Sequence, residues 1–173
     1  MIRTTVLAIF LAAALSSTVR GREIAVTIDD LPVVSTRRDI ETRREITRLI
    51  LRHLAKSAIP AVGFVNEGKL YDGGKLDDAQ TALLRMWVDA GYELGNHTFS
   101  HMSLHDNPLD AYKADILKGE TVTRGLVAAK GAKIRYFRHP YLWTGLTIDI
   151  KRDLGTFLAE HGYIIAPVTV DNA

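Results

Sequence analysis

The sequence predicts an α/β domain with parallel strands, arranged as a sheet or a barrel of βα units. Three observations predict it. Short apolar, β-branched runs alternate with longer stretches of helical periodicity. The polar groups that suggest chemistry each follow one of those apolar runs, where the βα loops of such folds gather. A length of 173 residues with 47% hydrophobic content suits one domain with a core and excludes a disordered chain.

Residues 1–21 stand apart from that pattern. Met1–Thr5 carries one Arg and no acid, Val6–Leu15 is unbroken apolar sequence, and Ser16–Gly21 is small and polar. This is the three-part pattern of a secretory signal peptide, with cleavage expected after Gly21 and a cut after Ser16 as the other option. The apolar run is short for a bilayer span and no later run is long enough, so no stable membrane span is expected after cleavage. The domain would then occupy 22–173, in a secreted or periplasmic setting at the cell envelope. The whole chain has a net charge of +2 and a pI near 8.9. Arg3 and Arg20 account for the excess, and residues 22–173 balance bases against acids. Nothing there builds a nucleic-acid surface. The chain has no cysteine, so a metal site must use His and carboxylates.

Taken in order, Glu23–Ile28 reads as a buried strand ending at Asp29–Asp30, and Leu31–Thr36 as a loop. Arg38–Ser57 is a periodic helix with Ile46, Leu49, Ile50 and Leu54 as its apolar stripe. Ala61–Val65 is the next strand and Asn66–Lys75 a Gly-rich loop. Asp77–Ala90 is a helix with Leu83, Leu84, Trp87 and Val88 on one face, stopped by Gly91. Tyr92–Gly95 is a short strand leading into Asn96–His101. Pro108–Lys130 reads as one helix, interrupted in propensity by Gly119 and Gly125. Ile134–Phe137 is a strand, Thr147–His161 a helix, and Tyr163–Val170 a further strand. No repeat or linker is visible, and no feature selects an oligomeric state.

Three groups carry candidate chemistry. Asp29–Asp30 places two carboxylates at a strand end, where one can bind a cation while the other handles protons; an Asp pair can equally start a loop or cap a helix. In His97-Thr98-Phe99-Ser100-His101 the two histidines are four apart, so on a helical turn both imidazoles reach one ion. His105 continues that spacing, and Asn96 can orient the loop or merely turn it. In Arg138-His139-Pro140-Tyr141 the Arg can pair with a carboxylate, and Pro140 restricts the backbone before it.

In this order and spacing the three groups resemble the motifs of the polysaccharide deacetylase family, the NodB-homology domain of carbohydrate esterase family 4. The family's motifs are an apolar residue with Asp-Asp, then His-Ser/Thr-x-x-His, then Arg-x-Pro-Tyr or a variant. The resemblance runs from about Glu23 to the C-terminus and implies an irregular (β/α)7-type barrel. It also implies a metal-dependent hydrolase that removes N-acetyl groups from peptidoglycan, chitin-like oligomers or an exopolysaccharide. Residue by residue, Asp29 matches the catalytic base, and Asp30, His97 and His101 match the metal ligands. Arg138 matches the residue holding the base, and Tyr141 the residue whose backbone N–H stabilises the oxyanion, with Pro140 beside it at the substrate. One Asp and two His around a divalent ion leave positions open for water and substrate. Zinc is the default, and Co, Ni or Fe suit the same donors.

The chain departs from the family near Asp171, where a fourth motif begins; a fifth, with Leu-x-His supplying the general acid, is missing. With about five strands the barrel is expected to be incomplete. A piece of a longer product, a truncated product or a second chain completing the barrel would each account for this, the first being favoured. Two other functions compete: a non-catalytic metal- or glycan-binding relative, and a hydrolase of another ester class such as a phosphodiesterase. Asp29 argues against the first, and the single three-ligand set against the second.

Overall fold

The computed structural model describes residues 24–171. The expected signal segment, 1–21, lies outside the described residues, as do Asn172 and Ala173. Among the described residues no helix is long and apolar enough to cross a membrane.

Seven strands and five α-helices follow one another. The strands are β1 (Val26–Leu31), β2 (Ala61–Val65), β3 (Tyr71–Asp72), β4 (Lys75–Leu76), β5 (Glu93–Asn96), β6 (Tyr136–Phe137) and β7 (Ile164–Ile165). The helices are α1 (Ile40–Lys56), α2 (Asp78–Asp89), α3 (Leu109–Lys118), α4 (Thr121–Ala128) and α5 (Ile148–Glu160). Five strands form one parallel sheet in the order β1-β2-β5-β6-β7. That order follows the chain, so each crossover advances one strand in the same direction. A barrel wall is built this way; a doubly wound sheet reverses its order part-way.

Helix boundaries are set by caps that the sequence supplies. Asp39 accepts the Thr42 N–H at 2.8 Å before α1, and Asp77 accepts the Ala79 N–H at 2.8 Å before α2. Thr147 does the same for Ile150, at 3.2 Å, before α5. Two apolar clusters lie against the sheet. Leu51, Leu54, Val65, Leu84, Trp87 and Leu94 anchor the first, beside α1 and α2. Tyr112, Ile116, Phe137, Leu154, Leu158 and Tyr163 form the second, where α3 and α5 meet β6 and β7. Each fully buried Leu contributes about 1.5–3 kcal/mol by leaving water.

Four expectations change. Asn66–Lys75 is not a plain loop: Glu67–Leu70 makes a 3₁₀ turn and β3 pairs with β4 as a hairpin. Its two-residue turn, Gly73-Gly74, has φ of 54° and 79°, which glycine adopts without steric cost. The long helix over Pro108–Lys130 breaks at Gly119 into α3 and α4. The stripe on α1 is rotated: Thr47, Leu51 and Leu54 are buried, while Ile46, Leu49 and Ile50 line a shallow groove with His53. Finally, β6 and β7 are two residues each, shorter than the apolar runs around them.

Candidate functional site

The acidic pair owes its placement to an irregularity in β1. β1 pairs with β2 as Val26↔Ala61, Thr27↔Val62 and Ile28↔Gly63, and then as Leu31↔Val65. β1 therefore carries one extra residue between Ile28 and Leu31, a bulge in the strand. Asp30 sits in it with φ of 66°. In a regular strand adjacent side chains point to opposite faces. Here both Asp29 and Asp30 line one cavity, of about 460 Å³. The sequence reading placed the pair after the strand; the structure places it within the strand's last turn of register.

The histidine loop is built differently. His97–His101 is not helical; Thr98 and His101 have φ of 64° and 55°. The four-residue spacing brings the rings to 5.0 Å between centroids through a strained loop instead of a helical turn. Hydrogen bonds hold it. Asn96 Oδ1 accepts the Thr98 N–H at 2.8 Å, and its Nδ2 donates to Ile116 O at 2.8 Å and the Tyr163 hydroxyl at 2.9 Å. Asn66 Nδ2 donates to the carbonyl of His97. Asp115 accepts from the Ser100 N–H at 3.0 Å and the Ser100 hydroxyl at 3.1 Å, while its carbonyl accepts the Phe99 N–H at 3.1 Å. Gly119 packs so closely behind the loop that a Cβ there would lie 2.6 Å from Thr98 C and Phe99 N. The break between α3 and α4 falls at this contact.

Arg138 joins the two halves. Its guanidinium donates to Asp29 Oδ2 at 3.2 Å, Thr27 Oγ1 at 3.1 Å and Ala166 O at 2.8 Å. Its carbonyl lies 2.7 Å from His97 Nδ1. With Nδ1 donating there, the lone pair of His97 is on Nε2, the atom free to take an ion. Burial holds His97 below the ordinary histidine value, so its imidazole is neutral, as a ligand must be.

Asp30, His97 and His101 each offer a ligand atom, all within 4.8 Å of one another. Asp30 Oδ1 and His101 Nε2 are 3.7 Å apart. One carboxylate and two imidazoles suit a borderline divalent ion such as zinc. Burial pushes the Asp30 carboxyl up, but Lys69, His101 and His97 outweigh it and hold it below the usual carboxylate range. The Lys69 ammonium contacts both Asp30 Oδ1, at 2.9 Å, and Asp30 O, at 3.0 Å. No motif in the sequence pointed to Lys69, nor to Asn66 or Asp115, because each acts through contacts distant along the chain.

The third segment turns sharply after β6. Tyr141 has φ of 57°, is half exposed, and its ring packs on His101 at 4.5 Å. Pro140 is buried behind it and does not line the cavity, whereas Tyr141 does. His139 is buried beside them, and burial, with His97, Lys151 and Arg138 nearby, pushes its pKa down to about 4. His105 stands outside the ligand cluster, stacked on Trp143 at 4.5 Å. Neither Trp143 nor the β3–β4 hairpin lines the cavity.

A family profile described as polysaccharide deacetylase matches residues 16–159. Comparison with curated proteins gave no match. Among solved structures, a carbohydrate esterase family 4 pseudoenzyme from Bacillus anthracis shares 20% identity at a TM-score of 0.61, over 85% of this chain and 43% of its own. A family 4 carbohydrate esterase from Streptomyces lividans, solved with acetate, shares 22% at 0.59, over 86% and 63%. The chitin deacetylase from the fungus Colletotrichum lindemuthianum shares 24% at 0.57, over 82% and 53%. The likeness shows the fold, an irregular (β/α)7-type barrel that is incomplete here. The chain spans about half the length of these relatives.

Proposed function

Because the chain belongs to the polysaccharide deacetylase family, we propose that it is a metal-dependent hydrolase removing N-acetyl groups from an N-acetylated polysaccharide. Peptidoglycan, a chitin-like polymer or an exopolysaccharide is the substrate class. One observation carries this reading: the Asp30, His97 and His101 ligand atoms converge beside a second carboxylate, Asp29, that is paired with Arg138. A pure binding site has no use for a base next to its ion.

In this reading Asp30, His97 and His101 hold the ion, zinc by default. Such an ion supplies a water of lowered pKa and polarises the acetyl carbonyl. Asp29 is the general base. Its Oδ2 is held by Arg138, while its Oδ1 has no hydrogen-bond partner among the described residues and is the oxygen left to take a proton from the attacking water. Arg138 keeps that carboxylate aimed. The Tyr141 backbone N–H, presented by the turn after Pro140, donates to the oxygen on which negative charge develops. The signal-like pattern of residues 1–21 supports work outside the cytoplasm.

The test is acetate release from N-acetylglucosamine oligomers by the zinc-loaded chain, beside Asp29→Asn and His97→Ala. Metal-dependent release, lost in both variants, is the expected result. Zinc binding through Asp30, His97 and His101 with no release from any N-acetylated glycan would make the chain a non-catalytic relative.

A further inference from the structure

Asp29 and Asp30 each have a basic partner. Asp29 pairs with Arg138 at 3.2 Å and Asp30 with Lys69 at 2.9 Å. The charges of these four side chains cancel pairwise.

Lys69 is no loose surface lysine. It sits in the Glu67–Leu70 turn, which is anchored on both sides. The buried Glu67 carboxylate accepts the Val122 N–H at 2.7 Å, the Thr123 N–H at 2.9 Å and the Thr123 hydroxyl at 2.8 Å. The next N–H, of Gly68, donates to Phe99 O at 2.8 Å. The side chain is 35% exposed, so most of it is packed in place. Its ammonium bonds Asp30 Oδ1, the same oxygen that stands 3.7 Å from His101 Nε2. It therefore occupies the carboxylate oxygen facing the other ligands.

We infer that Lys69 is a built-in counter-cation: it neutralises Asp30 in the metal-free protein and must give up Asp30 Oδ1, against charge repulsion, when a divalent ion binds. This rests on the metal reading above. A doubly charged ion gains less at a carboxylate already paired with an ammonium than at an unpaired one, and a lysine beside it is a like charge. Lys69 thus sets how tightly the metal is held. It is a positioning and tuning residue, not a catalytic one.

The test is a zinc titration of the metal-stripped full chain against a chromophoric chelator, with folding checked by circular dichroism. Lys69→Met keeps the length of the side chain without its charge. Lys69→Gln keeps a hydrogen-bond donor and covers the case in which the methionine variant does not fold. Both are expected to bind zinc at least about tenfold more tightly than the unaltered chain, and Lys69→Arg to stay near it. Unchanged or weaker binding in the neutral variants, with zinc still lost in His97→Ala, would overturn the inference alone. No zinc binding in any form would overturn the metal reading and this inference together.

Discussion

The two halves of the site are held by different forces. The acidic half, Asp29–Asp30, is positioned by a strand bulge and secured by charge, with Arg138 and Lys69 as counter-ions. Both acids stay about one-third exposed. In the histidine half His97 is buried and His101 a quarter exposed, and side-chain amides, the Asp115 carboxylate and backbone groups pin the loop in left-handed conformations. The Lys69–Asp30 pair, about one-third exposed on both sides, is weak and adjustable, because solvent screens it and a long side chain loses entropy to form it. Buried hydrogen bonds are costly to leave unmade. The hydrogen bonds of the histidine half should therefore carry more of the site's stability than the Lys69–Asp30 pair does.

The largest expected effect tests that division directly. Asn96→Ala removes three hydrogen bonds and leaves the Thr98 N–H and the Tyr163 hydroxyl without that partner. It should destabilise the chain by about 4 kcal/mol in urea unfolding.

Acid separates the halves next. His139, with its pKa near 4 in the fold, binds its proton more readily when unfolded. Its contribution is complete above pH 6.5 and is lost as the pH falls from about 6.5 to 4, to a limit of about 3 kcal/mol. His97 is lowered in the same direction. Asp30 is lowered from 3.8, so its contribution persists until the pH drops below that value. Melting curves in EDTA from pH 7 to 4 should show the decline, and His139→Leu should flatten it.

Gly119→Ala forces a Cβ to 2.6 Å from the loop backbone. A cost of about 2 kcal/mol is expected, with weaker zinc binding, since the loop has to move. The smallest effect belongs to the acidic half. Lys69→Met should cost the metal-free chain less than about 1 kcal/mol. If its cost in urea exceeded that of Asn96→Ala, the division of labour would be reversed.

The fold class was legible in the sequence because the periodicities were clear: Ala61–Val65 is a strand to the residue, and the helices expected from Arg38, Asp77 and Thr147 begin at Ile40, Asp78 and Ile148. Errors arose where local propensity met a distant constraint. The apolar periodicity over Pro108–Lys130 is helical, yet the approach of the Thr98–Phe99 backbone splits it at Gly119. Ile46 and Leu49 have the right spacing for a buried stripe, but the sheet is met by Thr47 and Leu51. At the site, the residues with metal-binding chemistry were visible as types and spacings. The bulge that turns Asp29 and Asp30 toward one cavity was not, because register is a property of two strands. Lys69 was hidden for the same reason: it reaches Asp30 across 39 positions of sequence.

The Asp29–Arg138 pair has a kinetic consequence. It spans 109 positions, and between its ends lie three further strands of the sheet. Contacts so far apart close late, after the loop entropy of everything between them has been overcome. On the proposed metal reading, the centre would bind an ion only once β1 and β6 have found their places, and would report finished folding. In stopped-flow refolding, fluorescence from the buried Trp87 should recover first and zinc capture last.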